Sequence, residues 1–401
     1  MNRSSLGRLP VVAGVILLLV AVGLASWQAW SRRPGACRGE DRVVTKVPAV
    51  FDDGEDPRVQ RLRRAAATWG LGEVIASVGY DHDRWLALSA APGGIGAQTR
   101  GSRAFRLLDE SLKTRWGLAY DAGQHTWDMS EDRFVSVHRP DGQPPEVSSH
   151  RLSDGGVEWC RRLEGAIGDG DRLRTVIHHD GVTVLAHGRL TRLDADGEVA
   201  WTRPVERSAD SLINPDDAVL VAGSEFPQTS SVLAVDESGK TIWSRRAALA
   251  TRVAGVADGL VVVVRGARVV ALDAQTGAER WRAPAAPDVA VRSGAVLLRS
   301  DTAIRALDPT DGTQVWSTPV RQRPQAFPYG FQLDAQPMLD EQTMLLAGTD
   351  ALVELDLTTG AQRRHALPTD GINTTFWPYQ VVVSGDLIGV ATNTGGLVLR
   401  R

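Results

Sequence analysis

The sequence predicts an all-β protein: a β-propeller of eight four-stranded blades that follows an N-terminal transmembrane helix. Three observations lead to this prediction: a motif that recurs along the chain, short alternating strand patterns around each copy, and one long apolar segment near the N-terminus. The 401 residues include 40 Gly and 20 Pro, which suits a turn-rich chain. The net charge of −3 gives no basic face of the kind that nucleic acid requires.

The apolar segment comprises residues 9–31, which carry no charged side chain. A helix of this length reaches about 34 Å, enough to cross a bilayer. Trp27 and Trp30 stand at its far end, where aromatic rings favour the headgroup region. We therefore expect a short tail at residues 1–8, a retained signal anchor over 9–31, and a single-pass protein in the cell membrane with its bulk outside the cytoplasm. A cleaved signal peptide, or a lipoprotein that uses Cys37, are the alternatives.

The segment that follows, residues 32–70, is expected to be a stalk. Residues Val59 to Trp69 are rich in Arg and Ala and predict a short helix, which we expect to be a solvated linker. Residues Arg42 to Val50 are rich in Val and could supply a closing outer strand to the propeller, which we expect over residues 71–401.

A motif of alternating apolar residues, Asp, a short turn, Gly and Trp repeats with a period of 35 to 48 residues. Residues 269–281, for example, read VVALDAQTGAERW. The Asp side chain can accept hydrogen bonds from the turn, Gly supplies a positive φ, and a buried Trp would seal each blade against the next. The four clearest copies are Asp194, Gly197 and Trp201; Asp236, Gly239 and Trp243; Asp273, Gly277 and Trp281; and Asp308, Gly312 and Trp316.

Seven copies of the motif and three further strand patterns at the C-terminus favour eight blades, and seven blades with a cap is the alternative. Residues 271–281, ALDAQTGAERW, resemble the tryptophan-docking motif of the pyrroloquinoline-quinone-like repeat. The resemblance covers about residues 72–401 and implies an eight-bladed propeller with Trp residues around the contacts between blades.

The same repeat occurs in quinone-dependent dehydrogenases, which carry adjacent cysteines, a calcium ion and a catalytic Asp. Here the two cysteines, Cys37 and Cys160, are 123 residues apart. The chain therefore resembles a non-catalytic member of the family, and we expect no catalytic residue, no cofactor and no metal. Cys37 and Cys160 could pair in an oxidising compartment, but their positions in stalk and blade favour unpaired thiols.

Four segments between the strand patterns are irregular, and we expect loops there: residues 91–101, 224–231, 321–336 and 374–379. Exposed aromatic residues on loops of a rigid scaffold favour partner binding. The candidate binding residues are Phe327, Tyr329, Phe331, Phe376 and Trp377. The sequence thus predicts a membrane-anchored scaffold for a protein or an envelope polymer. A propeller that binds a ligand or quinone, as a sensor or a dehydrogenase-like enzyme, is the alternative.

Overall fold

The computed structural model describes residues 42–44, 56–79, 86–99, 104–119, 123–140, 144–164, 173–186, 188–205, 209–213, 219–224, 230–247, 251–320, 333, 336–348, 351–368, 378–392 and 395–401. The expected anchor at residues 9–31 lies outside these ranges. Within them, no helix combines the length and the apolar character that crossing a bilayer requires.

The described residues form one helix, α1 (Pro57–Ala66), and otherwise strands. The strands of the first half are β1 (Arg42–Val44), β2 (Glu73–Gly79), β3 (Leu86–Ala91), β4 (Gly94–Thr99), β5 (Ala104–Asp109), β6 (Thr114–Ala119), β7 (Gly123–Met129), β8 (Arg133–Pro140), β9 (Glu146–Arg151), β10 (Val157–Arg162), β11 (Arg174–His178), β12 (Gly181–Ala186), β13 (Arg189–Asp194), β14 (Val199–Pro204), β15 (Ala209–Ile213) and β16 (Val219–Ser224). Those of the second half are β17 (Ser230–Asp236), β18 (Thr241–Ala247), β19 (Thr251–Ala257), β20 (Leu260–Arg265), β21 (Arg268–Asp273), β22 (Glu279–Pro284), β23 (Asp288–Arg292), β24 (Ala295–Arg299), β25 (Ala303–Leu307), β26 (Gln314–Pro319), β27 (Thr343–Ala347), β28 (Ala351–Asp356), β29 (Gln362–Ala366), β30 (Pro378–Ser384), β31 (Leu387–Thr392) and β32 (Gly395–Arg400).

Within a sheet, most strands that follow one another in the chain pair antiparallel, and most sheets contain four strands, as in β11-β12-β13-β14. Neighbouring sheets bury their facing side chains in shared apolar clusters, such as the cluster in which Phe105 of β5 meets Phe134 of β8. Radially packed four-stranded antiparallel sheets make a β-propeller. The predicted all-β propeller with four-stranded blades is confirmed.

The prediction of eight blades is wrong, because the described strands form seven sheets. The reason is one residue pair, Ser224 of β16 with Thr251 of β19. It joins the strands β15 to β18 and β19 to β22 into a single eight-stranded sheet that carries two copies of the motif. The number of repeats in the sequence therefore does not give the number of sheets.

The ring is closed by strands from the two ends of the chain. β2 pairs antiparallel with β32, and both belong to the sheet β2-β32-β31-β30. The expectation that residues 42–50 supply the closing strand is wrong. Of that segment, β1 pairs with β6, where Arg42 lies opposite Ala119 and extends the first sheet by a fifth strand. β2 is long enough to pair with the whole of β32, whereas β1 has three residues.

Helix α1 packs on the propeller and is not a solvated linker. Asp56 caps its N-terminus by accepting a hydrogen bond from the backbone N–H of Arg58 at 2.8 Å. Val59, Leu62 and Ala66 lie on one helix face and are at most 1% exposed. Leu62 and Ala66 share an apolar cluster with residues of the closing sheet. The apolar stripe of the helix therefore fixes this part of the N-terminal segment to the ring.

Cys160 on β10 is disulfide-bonded, and Cys37 is the chain's other cysteine. The expectation of unpaired thiols is thus wrong. The physical reason is the position of β1, which follows Cys37 closely in sequence and lies on the outer edge of the sheet next to that of Cys160.

Candidate functional site: the repeat junctions and the insertion face

Each motif Asp organises the turn that follows it. Asp308 accepts a hydrogen bond from the backbone N–H of Thr310 at 2.8 Å and another from the hydroxyl of Thr310. These bonds hold the pKa of Asp308 below its usual value. The pKa values of Asp236 and Asp356 are lowered as well, first by hydrogen bonds from their own turns, and the pKa of Asp273 is lowered first by the hydrogen bond from Arg280. These carboxylates are turn caps that stay ionised, which does not suit general acid catalysis.

Each motif Trp lies on the glycine of the next repeat. A Cβ placed on Gly239 would stand 2.6 Å from Cδ2 of Trp201, and Gly239 has a φ of +79°. The Trp201 Nε1 donates a hydrogen bond to the carbonyl oxygen of Glu237 at 2.7 Å. The indole thus fills the space beside the glycine, and its N–H has a hydrogen-bond acceptor at the same junction. The same contact joins Trp116 to Gly155, Trp159 to Gly197, Trp243 to Gly277, Trp281 to Gly312, and Trp316 to Gly360.

Three junctions carry an additional arginine, two residues after the Trp, which the motif analysis missed. Arg203 donates to the carbonyl oxygen of Gly239 at 2.7 Å, and Arg245 donates to that of Gly277 at 2.9 Å. Arg161 donates to the carboxylate of Glu198 at 2.9 Å. The signal was present in the sequence as Trp-x-Arg. A second hydrogen-bond donor beside the indole thus adds to the contact between neighbouring repeats.

Two junctions depart from the motif. Arg364 stands where the seventh repeat would have its Trp, and the end of α1 covers this junction instead. Trp69, which follows the helix, is 2% exposed, and its Nε1 donates to the carbonyl oxygen of Ala366 at 3.1 Å. A tryptophan from the N-terminal segment thus seals a junction that has no motif Trp.

The second junction that departs from the motif lies between the sheet β2-β32-β31-β30, the closing sheet, and the sheet of β3 to β6. Here a large residue replaces the motif Gly and a small residue replaces the motif Trp. Leu112 occupies the motif Gly position and has a φ of +61°. In β2 of the closing sheet, Ala76 pairs with Val398 directly after a bulge, the register position that Trp316 holds opposite Ala306. Leu112 shares an apolar cluster with Val398. A leucine in place of glycine therefore accompanies an alanine in place of tryptophan.

Antiparallel strands place the connections alternately on the two sides of the ring. We call the side with the Asp–Gly turns, such as residues 308–312, the turn face. The opposite side, where the chain passes from one sheet to the next, is the insertion face. β26 ends at Pro319 and β29 ends at Ala366, both at this second side. In chain order, the first aromatic segment precedes β27 and the second follows β29, and β27-β28-β29 form one sheet. The five aromatic residues themselves, Phe327, Tyr329, Phe331, Phe376 and Trp377, lie outside the described residues.

Leu333 shows how the chain is fixed after the first of these segments. It is fully buried, and its backbone N–H donates to Oδ2 of Asp288 at 2.8 Å. The guanidinium of Arg299 lies 3.2 Å from the same carboxylate oxygen. Burial lowers the pKa of Arg299 and the charge of Asp288 opposes this change. A buried ion pair thus holds the chain where it returns to the ring.

The other two segments that were expected to be loops are residues 91–101 and 224–231. Residues 91–101 are not a loop, because Gly94–Thr99 form β4. A Cβ on Gly94 would stand 1.8 Å from the carbonyl oxygen of Leu108, so glycine serves the close approach of two strands. Of residues 224–231, Ser224 ends β16 and Ser230 begins β17, and 225–229 lie outside the described residues. Within the described part, no three His, Cys, Asp or Glu side chains form a metal-binding group.

These features define a β-propeller whose repeats are joined by docked tryptophans. Residues 228–400 match the family described as "Outer membrane protein assembly factor BamB". The resemblance to the pyrroloquinoline-quinone-like repeat family is thereby confirmed for residues 228–400. No curated protein matches the chain.

Solved structures share the fold. BamB from Moraxella catarrhalis has a TM-score of 0.55 at 15% identity, and the match covers 82% of this chain and 100% of that one. At this identity the likeness concerns the fold alone. Weaker matches are KlHsv2 with loop 6CD replaced by a Gly-Ser linker (TM-score 0.44, 10% identity, 68% and 90% covered) and the Neurospora crassa Pan2 WD40 domain (TM-score 0.42, 10% identity, 70% and 89% covered).

Proposed function

We propose that the chain is a membrane-anchored, extracytoplasmic and non-catalytic scaffold that binds a protein of outer-membrane-protein assembly through the insertion face. The observation that carries this proposal is that the two aromatic segments of the sequence directly precede and follow the strands of one sheet, β27-β28-β29. Loops on a rigid scaffold combine a fixed position with variable side chains, and aromatic side chains supply most of the binding energy in many interfaces.

Two further observations support the compartment. The apolar segment at residues 9–31 has the length of a membrane anchor. The disulfide at Cys160 is a bond that persists in oxidising compartments and is rare in the cytosol. An anchored chain that carries a disulfide fits an extracytoplasmic position.

The non-catalytic role is supported by the use that the fold makes of its carboxylates. The motif Asp residues accept hydrogen bonds from their own turns, as Asp308 does from Thr310. The family that residues 228–400 match is described as an assembly factor, which favours partner binding as well.

Capture of partners by the full-length chain in mild detergent tests this proposal. The wild type is expected to retain an outer-membrane-assembly protein. Replacement of Phe327, Tyr329 and Phe331 by Ala is expected to reduce capture at least tenfold, as is Phe376→Ala with Trp377→Ala. The control is Val157→Ala with Val315→Ala, two valines of the outer strands β10 and β26 that are 50% and 58% exposed.

Undiminished capture by both aromatic variants would remove the insertion face from the proposal. A second arm adds pyrroloquinoline quinone and calcium. A saturable rise of the unfolding temperature in that arm would contradict the non-catalytic role and favour the quinone-binding alternative.

A further inference from the structure

Arg106 is a buried cation whose charge is not compensated by any described carboxylate. It lies in the middle of β5 and is 6% exposed. Its Nε is fully enclosed without a hydrogen-bond partner. Among the described residues, no carboxylate forms an ion pair with it, and burial lowers its pKa. An uncompensated buried charge costs several kcal/mol in general, so this arginine is an anomaly.

The surroundings of Arg106 are small and apolar. It pairs across β5 with Ala97 of β4 and with Gly117 of β6. Paired residues point to the same side of a sheet. Ala97 belongs to the apolar cluster that the first sheet shares with Ala391 and Val398 of the closing sheet. Arg106 therefore projects into the junction between the first and the last sheet of the ring.

Other repeats show what this position requires when it is only structural. Arg106 stands three residues before the motif position of Asp109. Val270 and Val353 occupy the same place before Asp273 and Asp356 and are 4% and 6% exposed. An aliphatic side chain thus fits the position without a charge to desolvate. Packing does not require an arginine here.

We propose that Arg106 is the centre of an oxyanion-binding site between the sheet of β3 to β6 and the sheet of β2 and β30 to β32. The ligand is a carboxylate or a phosphate group, because the planar guanidinium donates two parallel hydrogen bonds to such an anion. Binding would compensate the buried charge. The site is independent of the proposed scaffold role, since its partner is a small anion.

Thermal unfolding of the full-length chain in detergent tests the site. Sodium acetate and sodium phosphate are each compared with sodium chloride at equal ionic strength and pH. We expect either oxyanion to raise the unfolding temperature of the wild type by about 2–4 °C. Arg106→Leu is expected to abolish the rise, and in chloride it is expected to unfold at or above the temperature of the wild type.

Arg305 offers a matched control, because it stands three residues before Asp308 and is half-buried. Arg305→Leu is expected to keep the full oxyanion response. If Arg106→Leu does not fold, Arg106→Met follows the path of the arginine side chain with a flexible apolar one. A response to acetate alone identifies a carboxylate site, and a response to phosphate alone identifies a phosphate site. An equal rise in the wild type and the Arg106 variants, or no rise in the wild type, overturns the proposal.

Discussion

Trp281 and Gly312 belong to different sheets, and the indole of the first lies where any side chain on the second would stand. A Cβ on Gly312 would be 2.6 Å from Cε3 of Trp281, and Gly312 has a φ of +73°. The Trp281 Nε1 also donates to the carbonyl oxygen of Pro309 at 2.5 Å. The glycine thus serves the turn of its own repeat and the packing of the preceding one.

This double role predicts that Gly312→Ala is more damaging than an ordinary loss of a left-handed glycine. Backbone strain and steric overlap together should cost about 2–5 kcal/mol of unfolding free energy, measured by urea denaturation. Gly294→Ala is the matched control, because Gly294 has a φ of +74° with nothing within 4 Å of its Cβ position. It should cost about 1 kcal/mol from backbone strain alone. Equal losses in the two variants would show that the Trp contact does not matter.

Acid is expected to weaken the turns through Asp273. Its pKa is lowered, first by the hydrogen bond from Arg280 and then by those from Thr276. A carboxyl group whose pKa is depressed by folding contributes stability above the unfolded pKa of about 3.9, and this contribution is lost as pH falls toward the folded value. Unfolding temperature should therefore decline below about pH 4, and Asp273→Asn should flatten that decline.

Arg280→Gln provides the comparison for this pH profile, because it removes the first cause of the shift and leaves the carboxylate in place. The acid-induced loss of stability should then be smaller than in the wild type and should be complete at a higher pH, because the folded pKa of Asp273 lies closer to its unfolded value. A profile identical to that of the wild type would assign no role to the ion pair.

Trp69 should be essential to the junction that lacks a motif Trp. Trp69→Ala empties a site that is 2% exposed and should cost about 3–5 kcal/mol in denaturant unfolding. Trp69→Phe keeps most of the apolar contact and loses the hydrogen bond to Ala366, so it should cost less. Limited proteolysis should cut near α1 in the Ala variant but not in the Phe variant. Resistance in both would mean that the helix holds without its tryptophan.

Reduction should destabilise the protein through Cys160. A cross-link that closes a loop of more than 100 residues contributes about 2–5 kcal/mol, so a reductant should lower the unfolding temperature. The variant with Cys37→Ser and Cys160→Ser should start lower and be insensitive to the reductant. An equal effect of reductant on that variant would assign the change to something other than the disulfide.

The motif made much of the ring predictable, because its determinants are local. Asp236 caps its own turn, Gly239 supplies the positive φ, and Trp201 follows Gly197 at a fixed distance along a strand. The sequence does not reveal single pairs between distant residues. Ser224 and Thr251 merge two repeats into one sheet, and nothing in their types indicates this.

Compensating exchanges were also beyond prediction. In the sequence, Leu112 only marks a copy of the motif that lacks its Gly. The residue that accompanies it, Ala76 at the Trp position of the closing sheet, belongs to a strand that precedes all the repeats. The aromatic segments of the candidate site were found from composition, but only the topology shows that the strands between them, β27 to β29, form one sheet. Arg106 gives no sequence signal at all, because its anomaly is its burial.

Because β2 pairs with β32, the ring is closed only when strands from both ends of the chain are in place. Glu73 meets Arg400 only when nearly the whole chain is present. Until then β2 presents an unpaired edge that invites association with other chains. A nascent or C-terminally truncated chain is therefore exposed to misassembly over its whole length, and completion of the last strand is the event that makes the molecule a closed unit.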